Sequence, residues 1–320
     1  MAFIDMPLAE LERYTGRNPR PEDFDAYWAR ALAELDRTDL QVELVPAKLQ
    51  TAFAECFHLY FRGVRGARVH AKYLRPRGRS GRGPALLEFH GYSSHSGDFA
   101  NKLAWVAAGF SVVALDCRGQ GGLSEDLGGT RGTTHAGHIV RGLQDDADAL
   151  LFRQIFLDTA ALARIVASFP DVDPERLGAR GASQGGALTL VCAALEPRIK
   201  KAAPVYPFLA DYQRVWEMDL AKDAYAELRT FFRHHDPTHE RIDHWFQRLG
   251  YIDVQHLASR VRADVMMAIG LVDPICPPSS QFAIFNKLQS KKTRVLYPDF
   301  EHEHLPGWLD REWGFFSELL

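Results

Sequence analysis

Residues 178–190 read GARGASQGGALTL, which places a serine between two glycines at G-x-S-x-G spacing (Gly181, Ser183, Gly185). A serine hydroxyl attacks a carbonyl only when a base takes its proton as the new bond forms. Glycines at this spacing suit a sharp strand-to-helix turn that lifts the serine oxygen above a sheet, at the positive end of the following helix. The flanks fit that picture, with strand-like RLGARGA before the serine and helix-compatible ALTLVCAAL after it. The same residues also read as a glycine-rich turn carrying a chance serine, and the motif alone leaves both readings open.

The partners such a serine needs are present in the order that an α/β fold with this serine turn uses, nucleophile, then acid, then histidine, each in a loop after a strand. Asp273 follows the apolar run DVMMAIGLV, and His302 follows TRVLYPD. A carboxylate there would fix the imidazole tautomer and stabilise the imidazolium formed during attack. Asp273 could instead cap a helix and His302 lie on the surface. His304 is two residues further on and, by sequence position, is as good a base as His302. The tetrahedral oxyanion needs two donors. One is the backbone N–H after the nucleophile, at Gln184. The other is expected from the loop HGYSSHSGD after the strand PALLEFH, with Tyr92 N–H as the candidate; an ordinary strand-ending loop is the alternative. Arg118 and Gln120 in RGQGG follow the strand FSVVALD and are expected to support the site, Arg118 by pairing with a carboxylate and holding the loops around the serine turn.

The elements that would position these residues alternate along the chain. Residues 21–35 place Phe24, Tyr27, Trp28, Ala31, Leu32 and Leu35 on one helical face, with Pro21 suited to the first helical position. AECFHLYFRG and GARVHAKYLRP read as an antiparallel hairpin. The short apolar runs 84–90 and 110–116 suit strands buried on both faces. A long helix over 143–168, the strand RLGARGA, a helix from Gln184 to about Leu195 and the strand KAAPVYP follow. The strand 264–273, a helix near 278–289, the strand 293–299 and a last helix complete the series. This alternation predicts an α/β fold, a mostly parallel sheet with helices on both faces and an N-terminal helix and hairpin extension over 1–80. Without an internal repeat or low-complexity linker, residues 1–320 read as a single domain. The stretch 208–258 breaks the rhythm as a helical insertion near the carboxyl ends of the strands, where pocket walls are placed.

Composition narrows the partners. The 320 residues are 46% hydrophobic and 25% charged with a net charge of −3, so no global basic field favours nucleic acid or an anionic membrane. The basic run 75–83 reads as a loop. No apolar run approaches the length that spans a bilayer. The start MAFIDMPLAELERY lacks the basic and apolar regions of a secretory signal. The four cysteines are far apart and form no CxxC pair, which points to free thiols in a reducing compartment, so a cytoplasmic protein is expected. His234, His235, His239 and His244 invite a metal reading, but Asp, Pro and Thr stand between His235 and His239 where zinc hydrolases place a glutamate, and a solvated face is expected. Neither a phosphate loop nor a dinucleotide fingerprint is present, so no cofactor is expected.

Together, HGY at 90–92, DCRGQGG at 116–122, GASQGG at 181–186, GLVDPICPPS at 270–279 and HE at 302–303 resemble carbohydrate esterase family 7, the acetyl xylan esterase and cephalosporin C deacetylase group. DMPLAELERY, DFDAYW and PFLADY fit the same pattern, so the likeness runs through nearly the whole chain. The resemblance implies an α/β-hydrolase fold and a serine esterase that removes acetyl groups from acetylated sugars, short xylo-oligosaccharides or cephalosporin C. It implies Ser183 as nucleophile, His302 rather than His304 as base, Asp273 as its orienter, and Tyr92 and Gln184 as backbone donors to the oxyanion. It also implies a hexamer whose sites face an inner chamber. Two features depart from the family pattern: Ala182 stands where cysteine is common, and 208–258 matches no motif of the family, which leaves acyl and alcohol preference undetermined. A related hydrolase acting on peptides or other small esters, and a catalytically dead binding scaffold, are the alternative functions.

Overall fold

Alternating side chains on a buried strand need a core on each side of the sheet, and the strands of this chain separate two such cores. The computed structural model describes residues 4–126 and 136–320; residues 1–3, where the N-terminal stretch read above begins, and 127–135 lie outside the described residues. Among the described residues the strands are β1 (Glu43–Pro46), β2 (Ala54–Arg62), β3 (Arg68–Pro76), β4 (Gly83–Phe89), β5 (Ser111–Leu115), β6 (Val172–Ala182), β7 (Ile199–Val205), β8 (Asp264–Gly270) and β9 (Lys292–Tyr297). The helices are α1 (Leu8–Leu11), α2 (Phe24–Asp36), α3 (Leu103–Ala107), α4 (Leu151–Ser168), α5 (Gln184–Leu195), α6 (Tyr212–Glu217), α7 (Ala226–His235), α8 (Ile242–Leu249), α9 (Pro278–Lys287) and α10 (Trp308–Ser317).

They form one open sheet in the order β1-β2-β3-β5-β4-β6-β7-β8-β9. The β1, β2, β3 and β5 pairings are antiparallel, and every pairing from β5 through β4 to β9 is parallel. This is the expected α/β-hydrolase architecture. On β8, Val265, Met267 and Ile269 join the larger core under α2, α4, α5 and α9, while Met266 and Ala268 join the smaller core under α3 and α10. β4 and β5 alternate in the same way, Leu87 and Val113 against Leu86 and Val112. The period-two geometry of a strand makes the division.

Some boundaries differ from the sequence expectation, for local reasons. The first amphipathic helix starts at Phe24 rather than Pro21, whose carbonyl instead accepts the Phe24 N–H in a turn. Its buried face is Phe24, Tyr27, Trp28, Ala31 and Leu35, while Leu32, expected on the same face, is only half-buried. The long helix begins at Leu151, not 143: the aspartate-rich run before it, with its side-chain preference for turns, folds into turns after Gly142 at φ 84°. The edge strand β1 was not expected, and its four residues are all exposed. Between β7 and β8 the chain forms α6, α7 and α8. The N-terminal segment packs on this insertion through Asp211, which accepts from the Tyr14 hydroxyl (2.8 Å), Arg17 N (2.8 Å) and Asn18 N (2.7 Å). Asp5 pairs with Arg214 (2.8 Å) and caps α9 at Ser279 N (2.7 Å).

Candidate active site

Ser183 lies between the end of β6 and the first residue of α5, at φ 58° and ψ −120°, a strained backbone for a residue with a side chain. The strain is held by the surroundings: Ser183 N donates to Val205 O (3.0 Å), and Ser183 O accepts from Ala187 N (3.0 Å) and Phe208 N (3.1 Å). The glycines answer to close approach. A Cβ on Gly185 would stand 2.0 Å from Phe89 O, and one on Gly181 would stand 2.6 Å from Gly185 and from Phe89 O. Only hydrogen fits where the turn presses on β4.

Asp273 and His302 come together from the ends of β8 and β9. His302 Nδ1 is 2.8 Å from Asp273 Oδ2, and Asp273 Oδ1 accepts from Ile275 N and Cys276 N, both at 2.8 Å. Asp273 is fully buried and His302 partly exposed. A buried carboxylate that accepts from two backbone N–H groups and meets an imidazole nitrogen is the pairing a serine base needs. His304 is exposed and lines a cavity of about 400 Å³ with Ala182, Tyr206 and Trp308, so the carboxylate reaches His302 alone of the two histidines.

Cys276 lies beside this pair. Ligating atoms of Asp273, Cys276 and His302 lie within 4.8 Å of one another. Burial, and then the Asp273 carboxylate, push the Cys276 thiol well above its ordinary pKa, and the Ser183 hydroxyl pulls the other way. Sequence reasoning gave Cys276 no role, although its place three residues after Asp273, in the turn that caps the carboxylate, was a usable signal.

The loops beside the serine turn are held by a polar network. Gln184 opens α5, so its N–H has no intrahelical acceptor. Its side-chain amide pairs with that of Gln120 at 2.9 and 3.1 Å, and Gln120 Oε1 also accepts from Ser93 N (2.9 Å). Gln120 therefore bridges the serine turn and the loop that carries Tyr92. His90 lies between strand ends, Nδ1 2.7 Å from Gly91 O and Nε2 3.0 Å from Cys117 N, which sets its tautomer. Burial lowers its pKa, so the ring is neutral. Asp116 joins the two loops again, accepting from Ser96 N (2.7 Å), Leu123 N (3.0 Å) and His70 Nδ1 (2.6 Å). Burial opposes its charge, but the hydrogen bond and charge of His70 and these N–H donors hold the carboxyl well below its ordinary pKa. The Tyr92 hydroxyl reaches the insertion and donates to Glu227 on α7.

Arg118 departs from the sequence expectation. It does pair with a carboxylate, Asp158 of α4, at 2.5 and 2.7 Å, and it donates to Val64 O (3.0 Å) in the β2–β3 connection. These partners tie the hairpin to α4 rather than bracing loops around the serine, because the residue's buried side chain leaves the strand end on the α4 side. In the histidine-rich insertion α7 ends at His235, Pro237 follows and His239 turns left-handed at φ 59°, so His235 and His239 do not share a helix. Among the described residues no helix is long and apolar enough to cross a membrane.

Residues 1–319 match the family model described as acetyl xylan esterase (AXE1). The structure superposes on acetyl xylan esterase 1 from Thermoanaerobacterium sp. JW/SL YS485 with a TM-score of 0.95 and 57% identity, covering 98% of this chain and 99% of that one. The acetyl xylan esterase from Paenibacillus sp. R4 gives 0.91 and 34% identity over 98% of this chain and 100% of that one. The acetyl esterase Axe7A of Xylanibacter ruminicola is 26% identical over 319 residues, 94% of this chain and 70% of its own length.

Proposed function

The chain belongs to the acetyl xylan esterase family and is a carboxylic ester hydrolase of acetyl esterase type; on that premise we propose that Ser183, His302 and Asp273 are its catalytic triad. Ser183 Oγ attacks the acetyl carbonyl while His302 takes its proton, and Asp273 holds the imidazole by Nδ1. Tyr92 N–H and Gln184 N–H bind the oxyanion. The tetrahedral adduct collapses as His302 protonates the departing sugar oxygen, leaving acetyl-Ser183. Water, activated by the same imidazole, then releases acetate and restores the serine. Gln120 supports this cycle by holding the two donor loops at one spacing. The observation that carries the reading is the strained Ser183 backbone at the end of β6 together with the 2.8 Å contact between His302 Nδ1 and Asp273 Oδ2 at the neighbouring strand ends.

The substrates in this reading are acetylated sugars and short xylo-oligosaccharides, with cephalosporin C as a further acetyl ester of suitable size. The chain works as one domain, and 208–258 forms a wall of the site. Assembly into a hexamer is supported by the exposed edge at β1, where Val42, Leu44, Val45, Leu49 and Phe53 face solvent beside unpaired strand backbone. A cytoplasmic location is supported by four cysteines that are all free and buried.

Hydrolysis of 4-nitrophenyl acetate, butyrate and octanoate by wild type and Ser183→Ala tests the proposal, followed by acetylated xylo-oligosaccharides. Fast acetate release that vanishes in the variant and falls with chain length is expected. Ser183→Ala turnover close to wild type would overturn the triad, and a preference for octanoate would overturn the acetyl-sugar substrate.

A further inference from the structure

Glu227 is a buried carboxylate in the first turn of α7, with no cation paired to it among the described residues. Burying a carboxylate costs several kcal/mol unless donors replace its water, and here three do. Oε1 accepts from the Tyr92 hydroxyl, and Oε2 accepts from Ile139 N (2.8 Å) and Val140 N (3.1 Å). The Tyr92 oxygen in turn accepts from His138 N (3.2 Å). Burial pushes the Glu227 carboxyl up, while Tyr92 and the backbone N–H groups pull it back down. No neutral side chain of this size accepts from two backbone N–H groups on one oxygen and a phenol on the other without turning a donor of its own on one of them.

The phenol at the far end of this network belongs to the residue proposed above as an oxyanion donor through its backbone N–H. The Tyr92 ring also meets Phe208 edge to face at 5.4 Å, and Phe208 N donates to Ser183 O (3.1 Å). The tip of the ring is therefore tied to the insertion and its flank to the back of the serine turn. With both held, little freedom is left to the Tyr92 backbone.

We propose that Glu227 is a positioning residue for acyl transfer: from the insertion, its carboxylate clamps the Tyr92 phenol to the 138–140 backbone and so fixes the direction of the Tyr92 N–H. The proposal rests on the reading of Tyr92 as an oxyanion donor, and it gives the insertion a role in the reaction itself. Because the oxyanion exists only after attack, a displaced donor lowers kcat and leaves KM nearly unchanged.

The test measures kcat and KM for 4-nitrophenyl acetate, and inhibition by methylboronic acid, whose adduct with the serine is tetrahedral and anionic. Wild type, Glu227→Gln, Tyr92→Phe, the double variant and Ser183→Ala are compared. Removing one oxyanion donor outright costs about 10²–10³ in kcat, so a misdirected one is expected to cost about 10–100-fold. Glu227→Gln should show that loss with KM within about twofold and boronate affinity weakened by a similar factor. Tyr92→Phe should behave alike, and the double variant should lose no more than the larger single one. A folded Glu227→Gln with wild-type kcat, a kcat loss without loss of boronate affinity, or additive effects would each overturn the clamp. If Glu227→Gln does not fold, Tyr92→Phe decides, since it keeps the carboxylate and its backbone bonds: unchanged kcat overturns the proposal and reduced kcat at constant KM supports it. Activity surviving in Ser183→Ala would count against the triad instead, a failure separate from that of the clamp.

Discussion

Ser183, Asp273 and His302 stand at the carboxyl ends of three strands, whereas Tyr92 and Gln120 stand on loops held by side chains from distant parts of the chain. On the first side, backbone does most of the positioning. The serine turn is locked by Val205 O, Ala187 N and Phe208 N, and Asp273 is oriented by the N–H groups of the two residues after its own turn begins. On the second side, Gln120 meets Gln184 across 64 positions of sequence, Asp116 meets His70 across 46, and Tyr92 meets Glu227 across 135. The contrast teaches that one site can be half local geometry and half tertiary polar network. The two halves should fail differently when cut.

Ser183→Ala removes the nucleophile and should lower kcat by at least ~10³, measured on 4-nitrophenyl acetate with unchanged folding. His302→Ala should lose a comparable factor and His304→Ala at most a few-fold. Equal losses would erase the distinction that the Asp273 contact draws between these neighbours.

Arg118→Met probes a polar pair outside both halves. It leaves the Asp158 carboxylate buried without its partner, and burial already pushes that carboxyl up against the pull of Arg118. About 3–5 kcal/mol of stability should be lost. Denaturant unfolding reads the loss, and kcat of the remaining folded enzyme should stay close to wild type. A large kcat defect would place Arg118 back in the site.

Gln120→Leu cuts the second half at its centre. It removes the acceptor for Ser93 N and the partner of the Gln184 amide, and should cost about tenfold in kcat with little change in KM. A rise in KM alone would mean that the network shapes substrate binding rather than the oxyanion.

The smallest effect concerns the docking of the N-terminal segment. Burial, and then the charge of Asp211, raise the Asp253 carboxyl from 3.8 to about 7. The folded state therefore binds a proton that the unfolded chain releases over that range. Stability from this group is full below the unfolded value and is lost as pH rises through the folded one. The Tm of wild type relative to Asp253→Asn should be a few degrees more favourable at pH 5 than at pH 8. A difference that does not change with pH would rule out this titration.

Local periodicity and glycine spacing made the first half legible. The helix from Gln184 to Leu195 and the strand of β8 follow from residue patterns a dozen positions long, and the order of serine, aspartate and histidine follows from the rule that this fold works at its strand ends. Asp-rich 143–150 misled the reading because helix-compatible composition says nothing about side chains that prefer to cap a turn. His302 and His304 could not be told apart by position, since both follow the same strand. Their difference is a direction in space: one ring meets Asp273 and the other faces a cavity.

The sequence by itself determined which strands are buried on both faces, where the chain must turn too tightly for a side chain, and which residue types could serve as nucleophile, acid and base. These are properties of short windows, set by sterics and by the periods of strand and helix. Tertiary structure alone decided that Gln120 meets Gln184, that Arg118 serves the hairpin rather than the site, and that Glu227 reaches Tyr92. Each of those depends on which buried donors and acceptors meet once the sheet is closed over its two cores, and a hydrogen bond across such distances leaves no trace in the spacing of residues along the chain.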